Sequence, residues 1–270
     1  MPKIITICNA KGGTGKTTLA ANLGGILAEA GHRVLLIDAD VQPTLTSYFS
    51  IDNPSESGLT RLVQDGSLAG TISTTSVGCD LVRSDDPDAR LQNWILHTPD
   101  GRFRLWKALR QPHPYDYILI DTQGAIGPLQ DAAMLAADMV LSPVPPETLS
   151  AREFLRGTLD SLDKLSEFSF LGITTPPVHA VLYRMDRTVD ARRIATQLRE
   201  GLARLAGERD IRILDTVIRS AVAYREAATA RKPVHRVDTR AGREIFRLAV
   251  ELLGGQALEG LDGYTGGKDR

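Results

Sequence analysis

One stretch near the N-terminus, A-K-G-G-T-G-K-T-T at residues 10–18, constrains the fold more than any other part of the chain. A short run of apolar and β-branched residues, 4–7, precedes it, and apolar residues with helical spacing follow it up to residue 28. Strand, glycine-rich turn, Lys-Thr and helix form the context in which such a stretch binds phosphate. Glycines allow backbone N–H groups to close around phosphate oxygens, because they carry no side chain and tolerate a positive φ angle. The sequence therefore predicts a phosphate-binding loop followed by a helix whose N-terminus favours anions.

Two side chains of this loop have predicted roles of their own. Lys16 is expected to reach the β- and γ-phosphates of a nucleotide, and the Thr17 hydroxyl is expected to ligate Mg²⁺. An ordinary glycine-rich turn is the alternative interpretation, and the strand–helix context argues against it. The residues that we expect to bind nucleotide phosphates are Gly12, Gly13, Thr14, Gly15, Lys16, Thr17 and Thr18.

The composition is that of an ordinary globular protein. Hydrophobic residues make up 42% and charged residues 24% of 270 residues, enough for one large α/β domain. No apolar run approaches the roughly 20 residues that cross a bilayer, and the first residues resemble a strand rather than a signal peptide. Cys8 and Cys79 are too few and too isolated for a disulfide framework or a metal cage. These features predict a cytoplasmic protein.

Charge is distributed unevenly along the chain, although the net charge is only −1. Residues 184–247 contain 16 Lys and Arg against 9 Asp and Glu, whereas the remainder contains 16 against 24. Such asymmetry suggests an anionic partner for the C-terminal part. The alternative is a set of solvated faces on amphipathic helices.

Two buried strands are predicted to end in aspartates. Residues 34–37 lead into Asp38 and Asp40, and residues 117–120 lead into Asp121. Ligands of open parallel sheets bind at the carboxyl ends of strands, so these acids are expected beside the phosphate loop. Asp121 is a candidate Mg²⁺ ligand. Asp40 is a second one and could orient or deprotonate the attacking water, while Asp38 could hold a metal-bound water or the loop; a structural role for Asp38 and Asp40 is the alternative.

The remaining chain alternates predicted helices and strands without an internal repeat or a Gly/Ser linker. We predict an α/β fold, a mostly parallel twisted sheet flanked by helices on both faces, as in P-loop NTPases. One domain is expected over residues 1–253, followed by a mobile glycine-rich tail at 254–270. Besides those already named, strands are predicted at 78–84, 139–141, 179–184, 211–214 and 216–218, and helices at 58–63, 91–109 in two pieces, 128–137, 148–165, 187–205, 219–231 and 241–253.

Three motifs together resemble those of the ParA/MinD family of dimeric ATPases. Residues 11–17 resemble its deviant Walker A box, KGGxGKT, which carries a second, early lysine. Residues 38–43 are similar to its DxDPQ motif, with Val41 in place of the proline. Residues 115–122 are similar to YDYIIIDTPP, which here continues with Gln123-Gly124 instead of two prolines. The resemblance extends from residue 3 to about residue 250.

The resemblance implies ATP and Mg²⁺ as cofactors and a sandwich dimer with two ATP molecules between its subunits. Lys11 would then cross to the partner's nucleotide and stabilise charge on the transferred phosphate, as an arginine finger does; a solvated lysine is the alternative. The resemblance assigns activation of the water to Asp40. In the family, an asparagine at the end of the strand predicted at 179–184 helps to hold adenine. Here Tyr183 stands near that place, and stacking by Tyr183 or Arg184 could substitute.

The function implied is that of a ParA-type DNA-partitioning ATPase. In this family ATP drives homodimerisation, the dimer binds double-stranded DNA of any sequence at the nucleoid, and a ParB-like adaptor stimulates hydrolysis. Binding of this kind needs mainly Lys and Arg facing phosphates, which the basic C-terminal third can supply. The candidate DNA-binding residues, each of which can also be a solvated helix charge, are Arg192, Arg193, Arg219 and Arg225.

Three other functions are alternatives to DNA partitioning. A MinD-like membrane-associated positioning ATPase needs a basic amphipathic C-terminal helix, and residues 254–263 have no such face, so no membrane partner is expected. Iron-protein reductases and metal-cluster carriers depend on cysteines at a dimer interface, whereas Cys8 is expected to be buried in the first strand. A scaffold without hydrolysis is disfavoured by the presence of Lys11, Lys16, Asp40 and Asp121 together.

Overall fold

A computed structural model describes residues 2–172, 174–205 and 210–261. Nine strands of these residues form one sheet. They are β1 (Lys3–Ile7), β2 (Val34–Ala39), β3 (Ile51–Asn53), β4 (Ile72–Thr75), β5 (Asp80–Val82), β6 (Tyr117–Thr122), β7 (Met139–Val144), β8 (Val178–Met185) and β9 (Ile211–Arg219). The strand order is β3-β4-β5-β2-β6-β1-β7-β8-β9.

The sheet is mostly parallel, as the sequence predicts. All neighbours from β5 to β9 along this order pair in parallel, and only β3–β4 and β4–β5 are antiparallel. The central strands β1, β2 and β6 are almost entirely buried, which explains their continuous apolar sequences. Their register places Asp121 opposite both Ile7 and Asp38, so β1, β2 and β6 end at the same level of the sheet.

Helices cover both faces of the sheet. They are α1 (Lys16–Glu29), α2 (Thr44–Tyr48), α3 (Leu59–Asp65), α4 (Arg90–His97), α5 (Gly101–Leu109), α6 (Pro128–Ala136), α7 (Thr148–Ser166), α8 (Val189–Leu205), α9 (Ala223–Thr229) and α10 (Thr239–Leu253). One hydrophobic cluster joins α1, α9 and α10 to the sheet. A second joins the four helices α3, α4, α5 and α6 to the sheet, and a third joins α7 and α8 to β7 and β8. The predicted α/β fold with helices on both faces is confirmed.

Two parts of the sheet differ from the sequence prediction. The edge strand β3 and its neighbour β4 were not predicted, because both are short and rich in Asn, Asp, Ser and Thr, and they form through antiparallel pairing near the sheet edge. The strands predicted at 211–214 and 216–218 are one continuous strand, β9. Its register with β8 shifts between Tyr183 and Met185, where Arg184 has a φ angle of 55°. A bulge of this kind redirects the side chain of the extra residue.

Part of the segment predicted to be a mobile tail packs on the core. Residues 255–258 form a 3-10 helix in which Ala257 and Leu258 are buried in the same cluster as α1 and α10. The Ala257 carbonyl oxygen lies 2.7 Å from His32 Nε2. The prediction did not recognise these two apolar residues as a packing contact because they lack a periodic pattern. The rest of the predicted tail, 262–270, lies outside the described residues.

Candidate functional site

The loop between β1 and α1 adopts a conformation that leaves its backbone N–H groups available. Gly13 and Gly15 have φ angles of 71° and 98°, which other residues rarely adopt. Within the described part of the chain, none of the N–H groups of residues 12–18 donates a backbone or side-chain hydrogen bond. Unpaired N–H groups at a glycine turn and a helix N-terminus create an anion-binding concavity. The sequence-predicted loop residues therefore surround a place for phosphate.

Lys16 lies folded back along this loop. Lys16 is buried, and its Nζ donates a hydrogen bond of 3.1 Å to the Lys11 carbonyl oxygen. Burial lowers the pKa of the Lys16 ammonium, and the nearby carboxyl of Asp121 opposes this shift. An ammonium that is pulled out of water in this way gains from an anion placed beside it.

Asp121 is the fully buried carboxyl group at the carboxyl end of β6. Burial raises its pKa well above the ordinary value, and the neighbouring Thr17 hydroxyl and Lys16 ammonium oppose that rise. Neither carboxylate oxygen meets the geometry of a hydrogen bond to any described residue. A buried carboxylate with free oxygens, next to a hydroxyl, fits the oxygen donors that Mg²⁺ prefers. Thr17 and Asp121 are thus suited to hold Mg²⁺ together with phosphate oxygens.

Asp38 and Asp40 occupy different environments. Asp38 is buried, and its Oδ2 accepts hydrogen bonds of 2.7 Å from both the N–H and the hydroxyl of Thr46. Burial raises the pKa of Asp38 to about 6. This carboxyl therefore fixes the segment that carries α2. The suggested role of Asp38 at a metal-bound water or at the phosphate loop stays a prediction. Asp40 lines the cavity beside the loop, and its Oδ1 accepts a hydrogen bond of 3.0 Å from Gln42 N–H, closing the turn in which Val41 replaces proline.

Lys11 is directed toward its own chain's α7 rather than into the phosphate cavity. Its backbone N–H donates to Asn9 Oδ1 at 2.9 Å, and the Asn9 amide donates to the Pro143 carbonyl oxygen at 2.8 Å. The Lys11 ammonium forms an ion pair of 3.5 Å with Glu147, just before α7. Lys11 is not among the residues that line the cavity beside Lys16. Its side chain remains partly exposed at the rim of the site.

The cavity has a volume of about 610 Å³ and extends from the phosphate loop to the ends of β8 and β9. This volume is in the range of small-molecule sites. The Tyr183 residue is only 4% exposed, and a Cβ atom added to Gly15 would lie 2.0 Å from its ring. The ring therefore packs against the loop at Gly15 and also lines the cavity, and its suggested stacking on the base stays a prediction. Arg184 is exposed, and its Nη1 lies 3.4 Å from the Gly13 carbonyl oxygen.

Comparison with known proteins identifies the family of this chain. A family model described as an AAA domain matches residues 2–168. The probable plasmid-partitioning protein ParA of Thermus thermophilus is 31% identical over 267 residues, covering 93% of this chain and 78% of that protein. The sporulation initiation inhibitor protein Soj of Bacillus subtilis is 32% identical over 254 residues, covering 91% of this chain and 96% of that protein. The chain belongs to the ParA/MinD family.

Solved structures share the fold of this ParA/MinD protein. A variant of McdA from Cyanothece in complex with ATP has a TM-score of 0.78 and 22% identity, covering 93% of this chain and 96% of that one. The septum site-determining protein MinD of Pyrococcus horikoshii, complexed with Mg-ADP, has a TM-score of 0.71 and 22% identity, covering 96% and 100%. The family consists of P-loop ATPases, which assigns ATPase chemistry to the phosphate loop described above.

The four arginines predicted to bind DNA belong to two parts of this ParA/MinD protein. Arg192 and Arg193 lie exposed on α8, where Arg193 pairs with Asp190 at 2.6 Å. Arg219 and Arg225 instead line the nucleotide cavity. The Arg219 N–H and Nη1 donate to Glu244 at 2.9 and 2.8 Å, so this side chain also anchors the end of β9 to α10.

Several residues of the site were not singled out from the sequence. Ser220, Ala221, Val222 and Tyr224 line the far end of the cavity. The sequence placed them in a predicted helix similar to a segment of the family but assigned them no role at the site. Gly124 lines the phosphate end; its position three residues after Asp121 was the available signal. No described helix is long and apolar enough to cross a membrane. Likewise, no group of three or more His, Cys, Asp or Glu side chains in the described ranges converges as a metal site.

Proposed function

We propose that the chain is a Mg²⁺-dependent ATPase that dimerises on binding ATP and partitions DNA. The observation that carries this proposal is the convergence of three features at the ends of β1, β2 and β6. These features are the N–H groups of residues 12–18, the buried Lys16 ammonium, and the buried carboxyl of Asp121 beside the Thr17 hydroxyl. Their chemistry matches the phosphates of a nucleotide and its accompanying cation.

The proposed reaction is in-line attack of water on the γ-phosphate. Lys16 and the loop N–H groups neutralise the charge that spreads over the transferred group. Bound Mg²⁺, for which Thr17 and Asp121 are the suited ligands, supplies further charge neutralisation between the phosphates. Asp40, which lines the same cavity, orients the attacking water.

The proposed dimer depends on Lys11. Its ammonium is partly exposed and lies outside the cavity of its own chain, which is compatible with a role at a second copy. To reach the partner's γ-phosphate, Lys11 must leave Glu147.

Non-specific binding to double-stranded DNA is proposed for the dimer in the cytoplasm, at the nucleoid. The supporting feature is the excess of Lys and Arg over residues 184–247, with 16 basic against 9 acidic residues. Arg192 and Arg225 are both exposed, whereas Arg193 and Arg219 form ion pairs with Asp190 and Glu244. A ParB-like adaptor that stimulates hydrolysis completes the proposal, by analogy with the partitioning relatives.

A MinD-like membrane-associated function is the second candidate, supported by the shared fold. Membrane attachment would require apolar side chains near the C-terminus that are free to enter lipid. Ala257 and Leu258 are instead buried in the core. The DNA-partitioning proposal is therefore preferred.

The proposal is tested by light scattering and ATPase assays on the full chain without nucleotide, with ADP and with ATP. We expect a monomer without nucleotide and with ADP, and a dimer with ATP. Lys11→Ala should abolish dimerisation and hydrolysis while retaining some ATP binding. Lys107→Ala, which removes an exposed lysine of α5, is the matched control and should behave like the wild type.

A monomer at saturating ATP, or a Lys11→Ala protein that dimerises and hydrolyses normally, would contradict the in-trans role of Lys11. DNA binding is measured in parallel. We expect retention on DNA only with ATP, weakening steeply as salt rises. Equal retention of the nucleotide-free and ATP forms would contradict the DNA-binding part.

A further inference from the structure

The connection between β6 and α6 touches the phosphate loop at one residue, Gly124. A Cβ atom added to Gly124 would lie 2.7 Å from both Gly12 Cα and Gly12 N, and 3.1 Å from the Lys11 carbonyl carbon. Contacts this short do not occur for real side chains, so only glycine allows the two backbones to approach each other here. Gly124 therefore brings a second stretch of backbone against the loop.

This contact lies at the end of the loop that faces the third phosphate. The P-loop lysine reaches the β- and γ-phosphates, and Lys16 Nζ lies 3.1 Å from the Lys11 carbonyl oxygen. The Lys11–Gly12 end of the loop is thus the γ-phosphate end. Gly124 lines the cavity there and is only half-buried.

The backbone N–H of Gly124 donates no hydrogen bond to any residue in the described ranges. The N–H of the adjacent Gly12 is likewise without an acceptor there. Two unpaired donors from different segments consequently meet at the γ-phosphate end of the cavity. A phosphate oxygen is a suitable acceptor for such a pair, since hydrogen bonds to charged groups are the stronger ones.

Gly124 is held in position from the other side by an amide pair. The side chains of Gln123 and Gln92 exchange two hydrogen bonds of 3.2 Å, which tie the segment to α4. Gln123 is 8% exposed. On the preceding strand, the Thr122 hydroxyl donates to the Ile7 carbonyl oxygen at 2.9 Å. Donors that are fixed before the ligand binds need little reorganisation, which is what electrostatic stabilisation requires.

We propose that the Gly124 N–H donates a hydrogen bond to a γ-phosphate oxygen of the bound triphosphate and so distinguishes ATP from ADP. This inference rests on the proposed ATPase function. Gly124 acts as a positioning residue in it: it holds the transferred phosphate through its backbone, in addition to the loop and Lys16. A proline at this position would lack the N–H.

The direct test is NMR of the full chain labelled with ¹⁵N-glycine, recorded with ADP and with a non-hydrolysable ATP analogue, both with Mg²⁺. The Gly124 resonance is assigned by its loss in Gly124→Ala. We expect its amide proton to shift downfield and to exchange more slowly with the ATP analogue but not with ADP. Gly13 and Gly15 should respond to both nucleotides and serve as internal references. Spectra of Lys11→Ala, which should remain monomeric, separate the phosphate contact from burial by a partner.

The outcomes are distinguishable. If Gly13 and Gly15 respond to both nucleotides while Gly124 responds to neither, or to both equally, the proposed contact is wrong and the ATPase function stands. If no loop glycine responds to either nucleotide, the proposed function itself fails.

A second measurement compares Gly124→Pro with Gly124→Ala. Both add atoms against Gly12, but only proline removes the N–H. We expect the preference for the ATP analogue over ADP to fall about tenfold or more in Gly124→Pro relative to Gly124→Ala, in line with the loss of one hydrogen bond to a charged group. Equal preferences in the two variants would show that glycine serves close packing alone. The NMR measurement on the wild type decides the question if either variant folds poorly.

Discussion

The two ends of the nucleotide cavity are built in different ways. At the phosphate end, the loop before α1 and the ends of β1, β2 and β6 present backbone N–H groups, the Lys16 ammonium and the Asp121 carboxyl. At the other end, which we call the base end, the walls are residues at the end of β8, residues 219–222 and α9. The phosphate end consists largely of central strands, whereas the base end lies at β8 and β9, toward the edge of the sheet.

This difference has a physical reason. Phosphate binding needs charge and N–H groups at fixed places, which a glycine turn and a helix N-terminus supply in any P-loop protein. Contacts to the rest of a nucleotide depend on side chains from separate segments, which tertiary packing brings together. In this chain the bulge at Arg184 and the Arg219–Glu244 pair determine the shape of the base end. We therefore expect affinity to depend mainly on the phosphate end.

Removal of the Lys16 ammonium is the largest expected effect. Lys16→Ala should lower ATP affinity by roughly a hundredfold to a thousandfold, because a preorganised group of this kind contributes roughly 3–4 kcal/mol. Titration calorimetry with ATP and with inorganic tripolyphosphate measures this loss. ATP and tripolyphosphate should lose affinity by the same factor. A loss confined to ATP would mean that affinity does not depend mainly on the phosphate end.

Asp40→Ala should separate binding from hydrolysis. We expect turnover to fall about a hundredfold or more, as for the loss of a group that orients the attacking water. ATP affinity and ATP-dependent dimerisation should remain. Single-turnover hydrolysis and light scattering provide the two readouts, and Asp38→Asn is the control that alters the neighbouring carboxyl bonded to Thr46. Loss of dimerisation in Asp40→Ala would instead indicate a structural role for Asp40.

The two ends also differ in how far the sequence predicts them. The loop at residues 10–18 and the apolar strands that end in Asp40 and Asp121 are local patterns, so the sequence predicted both the parallel sheet and the phosphate end. Burial of the Tyr183 ring under Gly15 could not be predicted, because it depends on how β8 packs beside the loop. The bulge at Arg184 depends on the register of β8 against β9, for which a single sequence carries no signal.

The contact between Asp38 and Thr46 was not predicted for a similar reason. The sequence places its carboxyl at the end of β2, and that position alone suggested a metal or the phosphate loop. In the structure this carboxyl accepts a hydrogen bond from Thr46, eight residues later in a short helix, and the packing of that helix determines the contact. The sequence therefore predicts the position of an aspartate at the end of a strand, but it does not predict the hydrogen-bond partner of that aspartate.

Acidification should affect the strand of the base end through His179. Burial lowers the pKa of His179, at the start of β8, from 6.5 to about 4. Between these values the unfolded chain binds a proton that the folded chain does not, so stability is lost as pH falls below 6.5. We expect wild type to lose about 1–2 kcal/mol more unfolding free energy than His179→Leu between pH 7.5 and pH 5. Urea unfolding at both pH values measures this, and an identical pH dependence of the two proteins would contradict it.

The smallest expected effect comes from Tyr183, which lies between the two ends. If its ring supports Gly15, Tyr183→Leu should weaken binding of ATP and of tripolyphosphate by the same factor, about threefold to tenfold, as expected for a lost packing contact of roughly 1 kcal/mol. If the ring instead stacks on the base, ATP alone should lose affinity, because tripolyphosphate has no base. Tyr183→Phe keeps the ring and removes only the hydroxyl, so it should bind both ligands almost as the wild type does. A selective loss of ATP affinity in Tyr183→Leu would show that Tyr183 contacts the base rather than supports the phosphate loop, which is the stacking role that the sequence suggested.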